Sequence, residues 1–191
     1  FVDQSTLLAV GDVVLKNFCQ QSDVKRNGKV RLISDKGSFI GGTVQTRKGM
    51  DVMNLGAKSG IKTMIHFGQD YLVGDQIELE ESEIEKIKKK ILEYDAAMNR
   101  LEKNENRDKL EKVRKDKLKL LKIMEKRSFR LFTFRERFEE HFPSEIQVRG
   151  TIFPGVVIES HGRTFEPTTE KKAIKIFFDQ EAGQLKEETT F

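Results

Sequence analysis

The sequence predicts a mainly β fold of short strands, with an antiparallel helical hairpin inserted into it. Three observations predict this. Residues 80–142 contain no glycine and no proline, whereas both recur on either side. Apolar residues inside that segment follow a coiled-coil spacing. Those outside it fall in short runs between glycines. The composition agrees: 37% hydrophobic against 35% charged residues suits a chain with a long solvated element better than one thick globule.

The first element is the segment 1–77. LLAVGDVVL (Leu7 to Leu15), VKRNGKVRL (Val24 to Leu32) and QTRKGMDVM (Gln45 to Met53) form a weak repeat around Gly11, Gly28 and Gly49, which lie 17 and 21 residues apart. The first two units share apolar residues four before, two after and four after the glycine. The third does not. Strand–turn units recurring about every 20 residues suggest the coils of a β-helix, each burying its inward side chains against the next, with glycine at the corners. The same residues suit a β-sandwich nearly as well. GAKSGIKT (Gly56 to Thr63) comes close to a phosphate-binding loop. However, its glycines are separated by three residues, Ile61 precedes the Lys-Thr pair, and TMIHF after it reads as strand. A turn between strands is the better reading.

The second element is the hairpin. Ile84, Ile87, Ile91, Tyr94, Met98 and Leu101 alternate spacings of three and four, the seam of a coiled coil. KNENRD (Lys103 to Asp108) suits a turn. The seam restarts at Leu110, Val113, Lys117, Leu120, Met124, Arg127, Leu131, Phe134 and Phe138, with Lys117 and Arg127 as polar intrusions that fix register. The helices are expected at about 80–103 and 107–141. The shorter, of 24 residues, would reach about 36 Å. The final ten or so residues of the longer would have no helical partner. Phe129, Phe132, Phe134, Phe138 and Phe142 are expected to dock that end onto the rest of the protein.

The third element is the segment 143–191, where glycine and proline return and IQVRGTIFPGVVIES (Ile146 to Ser160) resumes the short strands. The simplest organisation is one discontinuous β domain, 1–77 and 143–191, with the hairpin 78–142 between its strands.

KGSFIGGTVQTRKGMDVMNLGAKSGIKTMIHFG, then a charged helical pair, then VRGTIFPGVVIES together resemble the bacterial flagellar assembly protein A family, a DUF342-type domain. The specific parts are Gly41-Gly42, Asn54-Leu55-Gly56 with Thr63-Met64-Ile65, and Phe153-Pro154-Gly155-Val156-Val157-Ile158. The resemblance implies a right-handed parallel β-helix, similar to the C-terminal domain of the MinC cell-division inhibitor, interrupted by a coiled-coil hairpin. It implies a cytoplasmic protein without established catalytic residues, tied to flagellar assembly. Family members are longer, so AVGDVVL at Ala9 would be a coil entered midway. The segment Asn17 to Asn27 is more polar than the family pattern, which leaves coil boundaries there open.

Sought chemistry is sparse. His66, His141 and His161 are far apart, with no cysteine or carboxylate at metal-ligand spacing. Cys19 stands alone and reads as an ordinary thiol in a reducing compartment. Glu80-Glu81 and Glu139-Glu140 read as solvated helix faces. No metal, cofactor or catalytic residue is expected.

One feature is electrostatic. Between Glu80 and Phe142 there are 19 Lys and Arg against 15 Asp and Glu, and this excess of +4 is the whole net charge of the chain. Lys115, Lys119, Lys122 and Lys126 recur on one helix face, a candidate interaction stripe. The expected function is a non-enzymatic scaffold that self-associates through β surfaces and contacts a protein partner through the hairpin. Nucleic-acid binding by the lysine stripe is the alternative. No run of residues is long and apolar enough to enter a membrane.

Overall fold

The computed structural model describes residues 2–103 and 107–190. Among them run β1 (Val2–Asp3), β2 (Thr6–Ala9), β3 (Val13–Leu15), β4 (Phe18–Arg26), β5 (Val30–Leu32), β6 (Ser38–Thr46), β7 (Gly49–Val52), β8 (Asn54–Leu55) and β9 (Thr63–Phe67). The helices α1 (Tyr71–Lys103) and α2 (Arg107–Glu139) follow. The chain then forms β10 (Glu145–Ile152), β11 (Val156–Ser160), β12 (Arg163–Phe165), β13 (Lys171–Asp179) and β14 (Gln184–Thr189).

The strands stack in three parallel ladders. The first is β2, β4, β6, β9, β11. The second is β3, β5, β7, β10. The third is β1, β4, β6, β8, β10. β4, β6 and β10 each serve two ladders by bending once. Gln21 (φ 44°) stands at the bend of β4, and Gly41 (φ 70°) and Gly42 (φ 80°) at that of β6. Parallel pairing in register is what a coil makes with the next coil. The result is a β-solenoid of about three turns, as the glycine-spaced repeat suggested, and not a sandwich.

Period-two alternation fills its interior. Leu7, Val24, Val44, Ile65 and Ile158 occupy one column of the first ladder. Val13, Val30, Met50 and Ile146 form a second column. Val2, Cys19, Phe39, Leu55 and Ile152 form a third. From the second coil onward these side chains are fully buried or nearly so. Full burial of each aliphatic side chain contributes about 1.5–3 kcal/mol. The polar stretch Asn17 to Asn27 is accommodated as β4. Cys19 and Val24 point inward there, and Ser22 satisfies its buried hydroxyl by donating to the Gln20 carbonyl at 2.7 Å.

The register corrects the repeat by one residue. Val30 pairs with Met50, which sets Lys48, and not Gly49, level with Gly28. Shifted so, Val44, Met50 and Val52 fall on the positions that Val24, Val30 and Leu32 hold one coil earlier. The third unit therefore did carry the apolar pattern, displaced by one. Gly49 takes the left-handed φ of 81° at this longer corner.

The C-terminal strands do not continue as parallel coils. β12 folds back on β11, β13 on β10 and β14 on β13, all antiparallel. His161 (φ 51°) and Gly162 (φ 69°) make the two-residue turn between β11 and β12, the pair of positive φ values that a tight hairpin requires. β14 is exposed and charged, with Lys186, Glu187 and Glu188, which blunts it as an edge.

The contacts divide the chain into two compact units: residues up to Leu72 with those from Phe138 onward, and Val73–Arg137. Each helix of the second unit has 33 residues. The expected start at about 80 is corrected to Tyr71. Asp70 occupies the N-cap position, 1% exposed, and accepts a 2.8 Å hydrogen bond from Asn27 Nδ2. Gly74 sits in the first turn at a cost of about 1 kcal/mol relative to alanine. The helices are consequently equal, and the expected unpaired end of the second is corrected too, since Arg135 pairs with Glu81. Residues 104–106 of the expected turn lie outside the described residues.

Every seam position named from sequence is at least half-buried, and Ile84 and Ile87 are buried. The polar intrusions are ion-paired: Lys117 with Asp95, and Arg127 with Glu80 at 2.8 Å. Arg114 also joins Glu102 at 2.9 Å.

Candidate functional site

The lysine stripe lies where the sequence placed it, exposed on α2. Lys115 pairs with Glu111 at 2.7 Å and Lys119 with Asp116 at 3.0 Å, both within the helix. Lys122 and Lys126 make no ion pair among the described residues. Beside the stripe stand Leu118, Phe129 and Phe132, 58%, 72% and 58% exposed. Leu118 and Phe129 are eleven residues apart, close to three full turns, so they share one face.

This corrects the expected docking role of Phe129 and Phe132. The seam runs through Arg127, Leu131, Phe134 and Phe138, and the three-four spacing leaves Phe129 and Phe132 off it. Phe134 is a seam residue. Phe138 and Phe142 do pack within the solenoid unit. Phe138 meets Tyr71 edge-on at 6.1 Å, and Phe142 lies under the Arg47 guanidinium at 4.9 Å.

On the solenoid, the first ladder sets His66 level with Glu159. His66 Nδ1 lies 3.4 Å from the Glu159 carboxylate. Burial lowers the imidazole below its ordinary value, and Glu159 partly offsets this. Tyr71 stands edge-on to His66 at 6.2 Å, and burial, aided by Glu159, raises its phenol well above the usual range. At neutral pH these are an uncharged imidazole and an uncharged phenol, good for holding a surface together.

The structure also joins two histidines that the sequence held 20 positions apart. His141 and His161 lie 5.2 Å apart, and His161 stacks on Phe178 at 4.5 Å. Ser160 Oγ and His161 Nδ1 share a 2.9 Å hydrogen bond. Burial, then the neighbouring His141, lowers the His161 pKa. Among the described residues no group of three His, Cys, Asp or Glu side chains converges to hold a metal.

Next to this pair opens a cleft of about 420 Å³ lined by Lys29, Lys48, His141, Ser144, Glu145 and Lys175, among others. These come from four separate stretches of chain. Only the ladder register brings them together, and nothing in the linear sequence marks them. The loop-like GAKSGIKT stretch is a turn, with Gly60 N–H donating to the Ala57 carbonyl at 2.9 Å, and it leads into strand β9 rather than a helix. The stacked N–H groups of a phosphate loop are not formed there.

The family model for the flagellar assembly protein A β-solenoid domain matches residues 1–185. The chain belongs to that family. The match runs through solenoid strands and hairpin alike, which agrees with one β-solenoid interrupted by helices. No curated protein and no solved structure matches the chain. Membership of the flagellar assembly protein A family relates the chain to flagellar assembly. No described helix is long and apolar enough to cross a membrane.

Proposed function

We propose that this member of the flagellar assembly protein A family is a non-enzymatic scaffold whose hairpin binds a protein partner. The observation that carries the reading is the outward face of α2. Leu118, Phe129 and Phe132 are large, apolar and exposed, off the seam, and flanked by Lys122 and Lys126, which make no ion pair among the described residues. Isolated exposed apolar residues need no explanation, but two phenylalanines three residues apart beside uncommitted charge form an anchor pattern. The solenoid supplies the rigid body. Self-association through the β surfaces of the solenoid belongs to the same reading. A cytoplasmic location is part of the same reading.

The test is replacement of the native chain by a Phe129→Ser/Phe132→Ser variant in flagellated cells. Both side chains are exposed, so stability changes by no more than about 0.5 kcal/mol. Flagellation is expected to fall with the fold intact. Normal flagellation in the double variant removes the hairpin face from the proposal.

Lys122 and Lys126, without an ion pair among the described residues, favour a second reading, nucleic-acid binding. Such binding weakens steeply with salt. The absence of any electrophoretic shift at low salt disposes of it.

A further inference from the structure

Three cations face one carboxylate in the cleft beside His141. Lys29 enters from the β4–β5 corner, Lys48 from the β6–β7 corner and Lys175 from β13, against Glu145 at the start of β10. The second ladder explains the opening. Val30, Met50 and Ile146 are successive rungs, so Gly49 lies between Lys29 and Glu145 and puts no side chain there. The Lys29–Glu145 pair must span that rung and reaches only 3.9 Å. Lys175 is held at 2.9 Å by Glu188. Lys48 has no ion pair among the described residues. The cleft thus keeps ammonium donors that its own carboxylate does not saturate.

A second, independent observation concerns the wall. His141 Nδ1 and Ser144 Oγ, both on cleft-lining residues, are buried without a hydrogen-bond partner among the described residues. Buried polar atoms are nearly always satisfied, so these two orphans mark a wall whose hydrogen bonds the described residues do not complete. His141 is also fixed in place by His161 and Phe178. The wall is therefore held in place, while Lys48 makes no ion pair among the described residues.

We propose that this cleft binds a phosphate-type oxyanion, with Lys48 and Lys29 supplying the charge and the His141–Ser144 wall bounding one side. The tetrahedral dianion matches several separate donors, and lysine meets phosphate as a mobile point charge. The oxyanion could arrive free or as a phosphate monoester. Its ester group would then lie against Phe177, which also lines the cleft.

Titration calorimetry on the full chain tests this with inorganic phosphate and, separately, adenosine monophosphate as probes. Saturable binding is expected. Lys48→Ala should weaken it at least about fivefold, Lys48→Arg should keep it within about twofold, and Lys122→Ala on the hairpin should leave it unchanged; fivefold is about 1 kcal/mol. Lys48 is exposed, and an unchanged melting curve verifies that its variants fold. Tighter binding of the monophosphate than of phosphate assigns an ester ligand; the reverse assigns the free anion. No saturable binding of either probe, or equal losses in Lys48→Ala and Lys122→Ala, overturns the site.

Discussion

Gly28 and Gly49 are both corner glycines, and they are required for different reasons. Gly49 has a φ of 81°, and a Cβ there would lie 2.0 Å from the Glu145 carbonyl oxygen. Gly28 has ordinary dihedrals, but a Cβ on it would lie 2.3 Å from the Gly11 backbone one coil away. Gly11 itself has open space. Gly49→Ala and Gly28→Ala should each cost about 2 kcal/mol or more, the first through backbone strain as well as overlap. Gly11→Ala should stay within about 0.5 kcal/mol. Urea denaturation of the three variants checks this, and a Gly11 variant as damaged as the other two would mean that the coils stack differently. The sequence marked all three glycines as corners without separating close approach from left-handed backbone. That separation needs the neighbouring coil. The cleft residues Lys29, Lys48, His141 and Lys175 were invisible for the same reason, whereas the lysine stripe was readable because helical spacing alone places it.

At the scale of elements, the hairpin depends on a few charge pairs set into an apolar seam. Glu80 is only 4% exposed and takes Arg127 at 2.8 Å and Arg130 at 3.5 Å. Removing one partner leaves a mostly buried carboxylate short of a donor. Arg127→Ala should therefore destabilise the hairpin by about 1–3 kcal/mol, less than for a wholly orphaned charge because Arg130 remains. Exposed Lys115→Ala should change almost nothing. Helical circular dichroism followed through a denaturant series distinguishes the two, and equal midpoints would show Glu80 to be solvated. The seam itself was legible from residue spacing. The start of α1 was not, because Leu72, Val73 and Gly74 carry no helical signature of their own. The cap that begins the helix, Asp70, is held by Asn27 from another coil.

For the whole molecule, the columns of the solenoid core cross the insertion: Ile65 is followed by Ile158, and Met50 by Ile146. Tyr71 and Phe138 meet at 6.1 Å, so a short linker can join the two solenoid segments. Replacing residues 73–137 with a few glycines and serines should preserve cooperative unfolding. A fragment ending at Leu72 should not fold, because β7 and β9 lose β10 and β11 as partners. Melting curves of the two chains decide this, and a cooperatively folded fragment would mean that the front coils form a domain of their own. The sequence by itself determined the alternation of strand, helix pair and strand, since helix breakers and apolar periodicity act over a few residues. Tertiary structure alone decided the one-residue shift of the third coil, the antiparallel ending and the cationic cleft. Each depends on which strands lie side by side, and that pairing is a choice among distant segments that local spacing does not encode.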